Sequence, residues 1–304
     1  MSKTMKAARF HEYGGPLVIE DVPIPEPGPG QVLVKVAGSA NNPADGAVRA
    51  GALQAMLPLD LPHTPGVEVS GTIESVGDGV TDLAAGDAVI AFLPMNAPGS
   101  AAEYVVGSAE LFAAAPTAIP LADAAALPAT GLTAQQALFE HGGLQSGQRV
   151  LINGAGGAVG GYAVQLAVLA GAEVIATASP ASFDRVSAYG PAQVVDHTAT
   201  PLREAIEGEV DLVFNVAPTP TDVLVGLVKP GGRIVSATSP IEQDAGAGVT
   251  GIRMGVHASA EQLDELVRKV DLGQLTVWVA DRRPLEEIND VQAGGTKGKT
   301  VLVP

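Results

Sequence analysis

The chain has 304 residues, 46% of them apolar and 4% aromatic, with a formal charge of −16 and no cysteine. That length suits two domains rather than one core, and Val, Leu, Ile and Ala must do the packing. So negative a surface repels phosphate backbones and anionic lipid, which argues against nucleic-acid or membrane binding. The missing thiols exclude disulfides, a thiolate nucleophile and a thiolate metal site.

Along the chain, Met1 to Phe10 carries Lys3, Lys6 and Arg9 without an apolar run and does not read as a signal peptide. No stretch reaches the ~20 uncharged apolar residues of a membrane span, and the cytoplasm is the expected compartment. After the Pro- and Gly-rich turn Pro23 to Gly30, the alternation of Val32, Val34 and Val36 predicts a strand over Gln31 to Ala37. Further strands are expected at Val67 to Val76, Ala88 to Phe92 and Ala101 to Val106, with a tight turn at Gly77-Asp78-Gly79. Short strands so spaced suggest a small barrel. Leu121 to His141 then reads as helical. Strands at Arg149 to Asn153, Glu173 to Ala178, Asp211 to Val216 and Gly232 to Ala237, with a helix over Gly161 to Ala170, imply βαβ units. Their continuous apolar runs fit a parallel sheet buried on both faces. The tail reads as a helix, Ala260 to Asp271, followed by strands at Leu275 to Val279 and Thr300 to Val303.

The strongest chemical signal is Asn153-Gly154-Ala155-Gly156-Gly157-Ala158-Val159-Gly160, which follows a strand and opens a helix. Glycines let a backbone turn tightly against a pyrophosphate, and a helix N-terminus offers unpaired N–H groups. The usual G-x-G-x-x-G pattern is met at Gly154 and Gly156, but Gly160 comes one residue late, so G-x-x-G-x-x-G through Gly154, Gly157 and Gly160 describes it better. The ordinary alternative is a tight turn without a ligand. NAD-binding folds place an acid at the end of the second strand; here that end reads Ala176-Thr177-Ala178-Ser179. With no acid to repel a 2′-phosphate, and with Ser179, Ser182 and Arg185 at hand, NADPH is the expected cofactor. Arg185 reads equally as a solvated helix residue.

Nearly the whole chain resembles the medium-chain dehydrogenase/reductase superfamily. Leu61 to Ile73, Val76-Gly77 and Gly86-Asp87-Ala88-Val89 resemble its barrel signature; Ala126 to Ala134 its entry into the cofactor domain; Lys229 to Arg233 and Gly298 to Leu302 its last core turn and terminal strand. Where zinc members carry a catalytic Cys, a zinc-binding His and a second Cys, this chain has Asn42, Val67 and Ala126. Asn, Val and Ala cannot supply the three protein ligands that catalytic zinc needs. The run Asn42-Pro43-Ala44-Asp45 and the long glycine loop instead resemble the zinc-free quinone oxidoreductase branch.

The resemblance implies an α/β fold: a barrel-like (GroES-like) catalytic domain over 1–120, completed by 255–304, and a doubly wound Rossmann NADPH-binding domain over 121–254. It implies that Asn42 and Thr130 lie near the nicotinamide, that Gly156, Gly157, Ala158 and Val159 hold the pyrophosphate, and that Asn215, Val216 and Ala217 line the adenosine side. Ala237, Thr238 and Ser239 should contact the nicotinamide end, His197 the adenosine phosphate, and Lys299 should point toward the cofactor. Asn42 or a backbone N–H would stabilise the developing oxyanion. The substrate class implied is a quinone or an enone, in a homodimer joined along Arg233 to Ala237 or the segment after it. A biosynthetic enoyl or enone reductase and an NADPH-binding sensor without turnover remain alternatives. The chain departs from many quinone reductases in lacking a Tyr after Asn42-Pro43 and in a shorter Leu285 to Gly298 segment. His63 reads as a structural turn residue, Asp45 as a carboxylate bonding helix-start N–H groups, and Tyr104 as barrel packing; His11 and His141 read as surface residues. His257 begins the return to the barrel.

Overall fold

In the computed structural model, which describes residues 3–294 and 298–304, the alternating Val32, Val34 and Val36 all point into one apolar core. Their strand, Gln31–Ala40, lies inside a mostly antiparallel sheet ordered Asp281–Pro284, Thr300–Val303, Gln31–Ala40, Glu68–Val76, Ala88–Phe92, Phe112–Ala114, with Tyr104–Ser108 also paired to Gln31–Ala40. A two-stranded ladder of Thr4–Arg9 and Val18–Pro23 accompanies it. The helix Ala260–Asp271 buries Leu263, Leu266, Val267 and Val270 on one stripe. Its C-terminal carboxylate, Asp271, accepts N–H bonds from Thr117 and Ala118 at 2.8 and 2.9 Å. These segments form one unit, Met1–Ala129 with Ala258–Pro304; Thr130–His257 forms the other.

Three expectations are corrected in detail. Leu121 to His141 is not one helix but a 3₁₀ turn, Leu121–Ala126, an α-helix, Pro128–Gln135, and a π turn, Gln136–His141; Pro128 has no N–H to continue a ladder. The 3₁₀ turn belongs to the first unit, so that unit runs to Ala129 rather than to residue 120. Ala125 and Ala126 pack with Ala40 and Val301, and Ser70 Oγ donates to the Ala122 carbonyl at 3.3 Å. Leu275–Val279 makes no ladder; Val277 and Val279 pack on that same alanine cluster, and the strand forms at Asp281–Pro284 beside Thr300–Val303.

The second unit holds a six-stranded parallel sheet ordered Gln193–Asp196, Glu173–Ala178, Arg149–Asn153, Val210–Asn215, Val228–Ser236, Thr250–Arg253. In chain order this is 3-2-1-4-5-6, the doubly wound Rossmann arrangement, with its switch point between Arg149–Asn153 and Val210–Asn215. Leu151, Ile175, Val213 and Ile234, one from each of four adjacent strands, are completely buried, as continuous apolar runs demand. The expected edge segment Arg233 to Ala237 is not an edge: Val228–Ser236 has a neighbour on both sides, and Thr250–Arg253 is the outer strand.

Candidate functional site

In the parallel unit the expected residues collect at the C-terminal ends of the strands. Gly154 leaves Arg149–Asn153 with φ of +104°, a conformation that only glycine adopts without strain. Its N–H bonds Thr177 Oγ1 at 2.8 Å, which turns the loop toward the neighbouring strand. A methyl group at Gly160 would sit 2.3 Å from the Gly154 carbonyl oxygen, so the helix Ala158–Leu169 can approach the loop only because that position is bare. The N-cap, Gly157, has no side chain to cap the first turn. The N–H groups of Ala158, Val159 and Gly160 have no intrahelical acceptor. These donors at the positive end of a helix fit a pyrophosphate.

Behind the loop a polar seam ties the strand ends together. Asn153 Nδ2 donates to Asn215 Oδ1 at 2.8 Å and Thr219 Oγ1 at 2.7 Å, Thr177 Oγ1 donates to Asn153 Oδ1 at 3.0 Å, and Ala217 N–H donates to Asn215 Oδ1 at 3.3 Å. Asn215 thus shapes the turn through Val216 and Ala217 from a buried position. One strand on, Ala237 N–H bonds the Asn215 carbonyl, Thr238 Oγ1 the Ala217 carbonyl, and Ser239 N–H the Ser236 Oγ.

At the end of the second strand, Ser182 Oγ donates to the Ser179 carbonyl at 3.3 Å. The half-buried Arg185 guanidinium has protein partners: Nη2 donates to the Gly156 carbonyl at 2.8 Å and Nη1 to Tyr189 Oη at 3.5 Å. Arg185 therefore joins the second-strand turn to the glycine loop. His197 is exposed beyond the third strand, its N–H on the Ala178 carbonyl.

The first unit brings Asn42 and Lys299 together with two carboxylates. Glu68 is completely buried and Lys299 is 4% exposed; Lys299 Nζ donates to Glu68 Oε2 and, at 2.8 Å, to Asn42 Oδ1. Asn42 Nδ2 donates to Glu68 Oε2 at 2.8 Å and to the Ala40 carbonyl at 3.2 Å. Glu68 Oε1 accepts the Ala129 N–H at 2.7 Å, one residue before the buried Thr130. Asp45, also buried, accepts N–H bonds from Asn42 at 2.8 Å and Gly66 at 3.2 Å, as expected of a helix-start carboxylate. Burial pushes its carboxyl up to about 6, with Glu68 adding to the rise and these N–H groups and Lys299 opposing it.

Glu68 and Thr177 were not singled out from sequence. Each carries a signal, a polar side chain inside an apolar strand that must find a partner when buried. His63 stacks edge-on against Phe10 at 5.6 Å, and burial, then Arg9, holds its pKa below the ordinary value. His257 is pinned through its backbone by both ends of the Gln136 amide. Among the described residues no cluster of three His, Asp or Glu could hold a metal, and there is no cysteine. The donor set does not fit a catalytic zinc, for which Asn42 and Lys299 supply a neutral amide and a cation.

Two family models match the chain: the alcohol dehydrogenase GroES-like domain over residues 28–117 and a family described as zinc-binding dehydrogenase over residues 189–302. A chloroplast envelope quinone oxidoreductase homolog of Arabidopsis thaliana is 32% identical, covering 99% of each chain. A chloroplastic NADPH-dependent alkenal/one oxidoreductase of the same plant is also 32% identical, over 99% of this chain and 80% of its own. The solved quinone oxidoreductase from Coxiella burnetii superposes with a TM-score of 0.89 at 29% identity, over 99% of this chain and 100% of that one.

Gly160→Ala should lower dinucleotide affinity by at least tenfold, or ~1.4 kcal/mol, because the helix must retreat from the Gly154 carbonyl. Fluorescence titration checks this, and unchanged affinity removes the close approach from the argument. Asp45 gives a pH dependence. Its folded pKa, about 6, lies above the ordinary 3.8, so in that window the native state holds a proton that the unfolded chain has released. Its contribution to stability is present below the ordinary pKa and is lost as pH rises through the folded one, by ~3 kcal/mol. Urea unfolding of wild type and Asp45→Asn from about pH 4 to about pH 7 should show wild type losing ground to the variant by roughly that amount.

Proposed function

We propose, on the premise that the chain belongs to the quinone oxidoreductase-like branch of the medium-chain dehydrogenase/reductase superfamily, that it is a zinc-independent NADPH:quinone or enone reductase. Members of this superfamily are oxidoreductases that use a nicotinamide dinucleotide, and the chain has both of their domains. When bound, the reduced nicotinamide would supply a hydride to a quinone or to the β-carbon of an enone. The chain's own residues bind, orient and stabilise. The N–H groups opened by Gly156, Gly157, Ala158 and Val159 would hold the pyrophosphate, and Asn215 to Ala217 the adenosine side. Ala237 to Ser239, Thr130, Asn42 and Lys299 would serve the nicotinamide end. No acid–base pair is committed to proton transfer, so positioning and exclusion of bulk water carry the rate, and water or a ribose hydroxyl would supply the proton that completes the reduction.

The observation that carries the reading is Arg185 Nη2 on the Gly156 carbonyl beside Ser179 and Ser182, with no acid from Ala176 to Ser179. A guanidinium held at the pyrophosphate loop and two hydroxyls suit a 2′-phosphate; a ribose with free hydroxyls would call for a carboxylate. Zinc independence rests on the donor set. A homodimer is proposed through the outer strand Thr250–Arg253, whose outer side is bridged by Gln243 and Asp244 only at its start, Thr250 and Gly251. The cytoplasm remains the proposed compartment. Enone reduction is the second reading, favoured by the alkenal/one oxidoreductase at 32% identity.

A panel of quinones and enones, followed by NADPH absorbance, tests the activity. Turnover of neither class, with NADPH still binding, would leave a binding protein instead. Ser179→Asp should abolish or reverse the preference for NADPH. At an effective dielectric near 20, like charges ~4 Å apart repel by roughly 4 kcal/mol before screening, and tenfold needs only ~1.4 kcal/mol. Calorimetric titration of both cofactors checks this; an unchanged NADPH/NADH ratio removes Ser179 from specificity.

A further inference from the structure

The side-chain amide of Asn42 is held by two groups of opposite charge. Its Oδ1 accepts from the Lys299 ammonium at 2.8 Å, and its Nδ2 donates to the Glu68 carboxylate at 2.8 Å. Flipped, the amide would turn its NH₂ on an ammonium and its carbonyl on a carboxylate, so one orientation is imposed. Glu68 Oε2 also accepts from Lys299, which closes a buried triangle of residues 42, 68 and 299, while Glu68 Oε1 holds the Ala129 N–H. Of the two bonds that Nδ2 donates, the one to the Ala40 carbonyl has the neutral partner, and at 3.2 Å it is the longer.

We propose that Lys299 and Glu68 are positioning residues: they lock and polarise the Asn42 amide so that its second N–H, resting on the Ala40 carbonyl, is the donor released to the carbonyl oxygen of the bound substrate. An ammonium at Oδ1 draws electron density through the amide and strengthens the remaining N–H as a donor. The bond given up is the weaker of the two that Nδ2 donates, while the two charged partners hold the group in place. This inference rests on the proposed reduction at Asn42, and it makes the oxyanion donor a property of three residues rather than of one.

Lys299→Met removes the charge and the donor while keeping the length of the side chain. It should lower kcat by about tenfold or more, a larger fall than any accompanying loss of NADPH affinity. Asn42→Ala should lower kcat similarly, and Asn42→Ala/Lys299→Met should be no worse than Asn42→Ala alone; losses that multiply overturn the proposal. Glu68→Gln/Lys299→Met exchanges the ion pair for a neutral pair of similar size and guards against unfolding. It should restore thermal stability without restoring kcat, and recovery of kcat would show that the charges do not act on Asn42.

One readout needs no turnover. In ¹H–¹⁵N spectra the Asn42 side-chain amide, assigned by its absence in Asn42→Ala, should exchange slowly with solvent in wild type. Exchange should accelerate about tenfold or more in the folded Glu68→Gln/Lys299→Met variant. Unchanged exchange overturns the inference even in an active enzyme. A wild type that reduces neither quinones nor enones overturns the proposed function, while the exchange result still decides the locking of Asn42.

Discussion

The ion pair between Lys299 and Glu68 is the interaction on which the first unit turns. It joins positions 231 residues apart in the chain, both of them buried, and fastens the entrance of the terminal strand Thr300–Val303 to the start of Glu68–Val76. Two charges taken out of water are tolerated only when their remaining hydrogen-bonding positions are filled. Here Asn42 and the Ala129 N–H fill them. Breaking such a pair from one side typically costs ~3–5 kcal/mol, because the survivor stays buried and unmatched. Asn42, Ala129 and the strand from residue 300 inherit their positions from that requirement.

The second unit solves a different problem, the ends of parallel strands that must meet an anion. Asn153, Thr177, Asn215 and Thr219 bond one another across three strands. The seam and the loop's own bonds hold Gly154, Ala155 and Gly157 in place, and the donors left for a ligand are those of the first turn of Ala158–Leu169. A chain with a formal charge of −16 repels an anionic cofactor at long range, but at physiological salt that field fades within ~8 Å. Close donors then decide the matter: the first turn of Ala158–Leu169, and Arg185 fixed at the Gly156 carbonyl.

Much of this was legible in the sequence where a rule is local. Arg149–Asn153, Glu173–Ala178 and Thr300–Val303 were readable because apolar runs of strand length between turn residues admit little else. The glycine loop was readable because its spacing follows from the approach of a helix to a turn. Leu275–Val279 misled because alternation reports burial rather than pairing: Val277 and Val279 are packed as alternation asks, but without a ladder. The break within Leu121 to His141 was marked by Pro128, which the apolar pattern outweighed. Asn42 and Lys299 were found by resemblance, but their partner was not. Glu68 stands between Val67 and Val69 as a carboxylate that must be neutralised, and nothing nearby says that the neutralising charge lies 231 residues on.

The first unit is assembled from both ends of the chain, whereas Thr130–His257 is continuous. On the ribosome these arrangements mature at different times. The parallel sheet has all its strands once residue 253 has emerged, and domains generally fold as units while synthesis proceeds. The barrel cannot finish then: the middle strand Gln31–Ala40 waits for Thr300–Val303, and Glu68 waits for its cation. Until residues 299–303 are made, a nascent chain carries at the heart of a half-built sheet an acid whose cation has not yet been synthesised. The order of synthesis thus separates the two units in time: the continuous one can close first, and the divided one must keep its strands open for a partner made more than two hundred residues later.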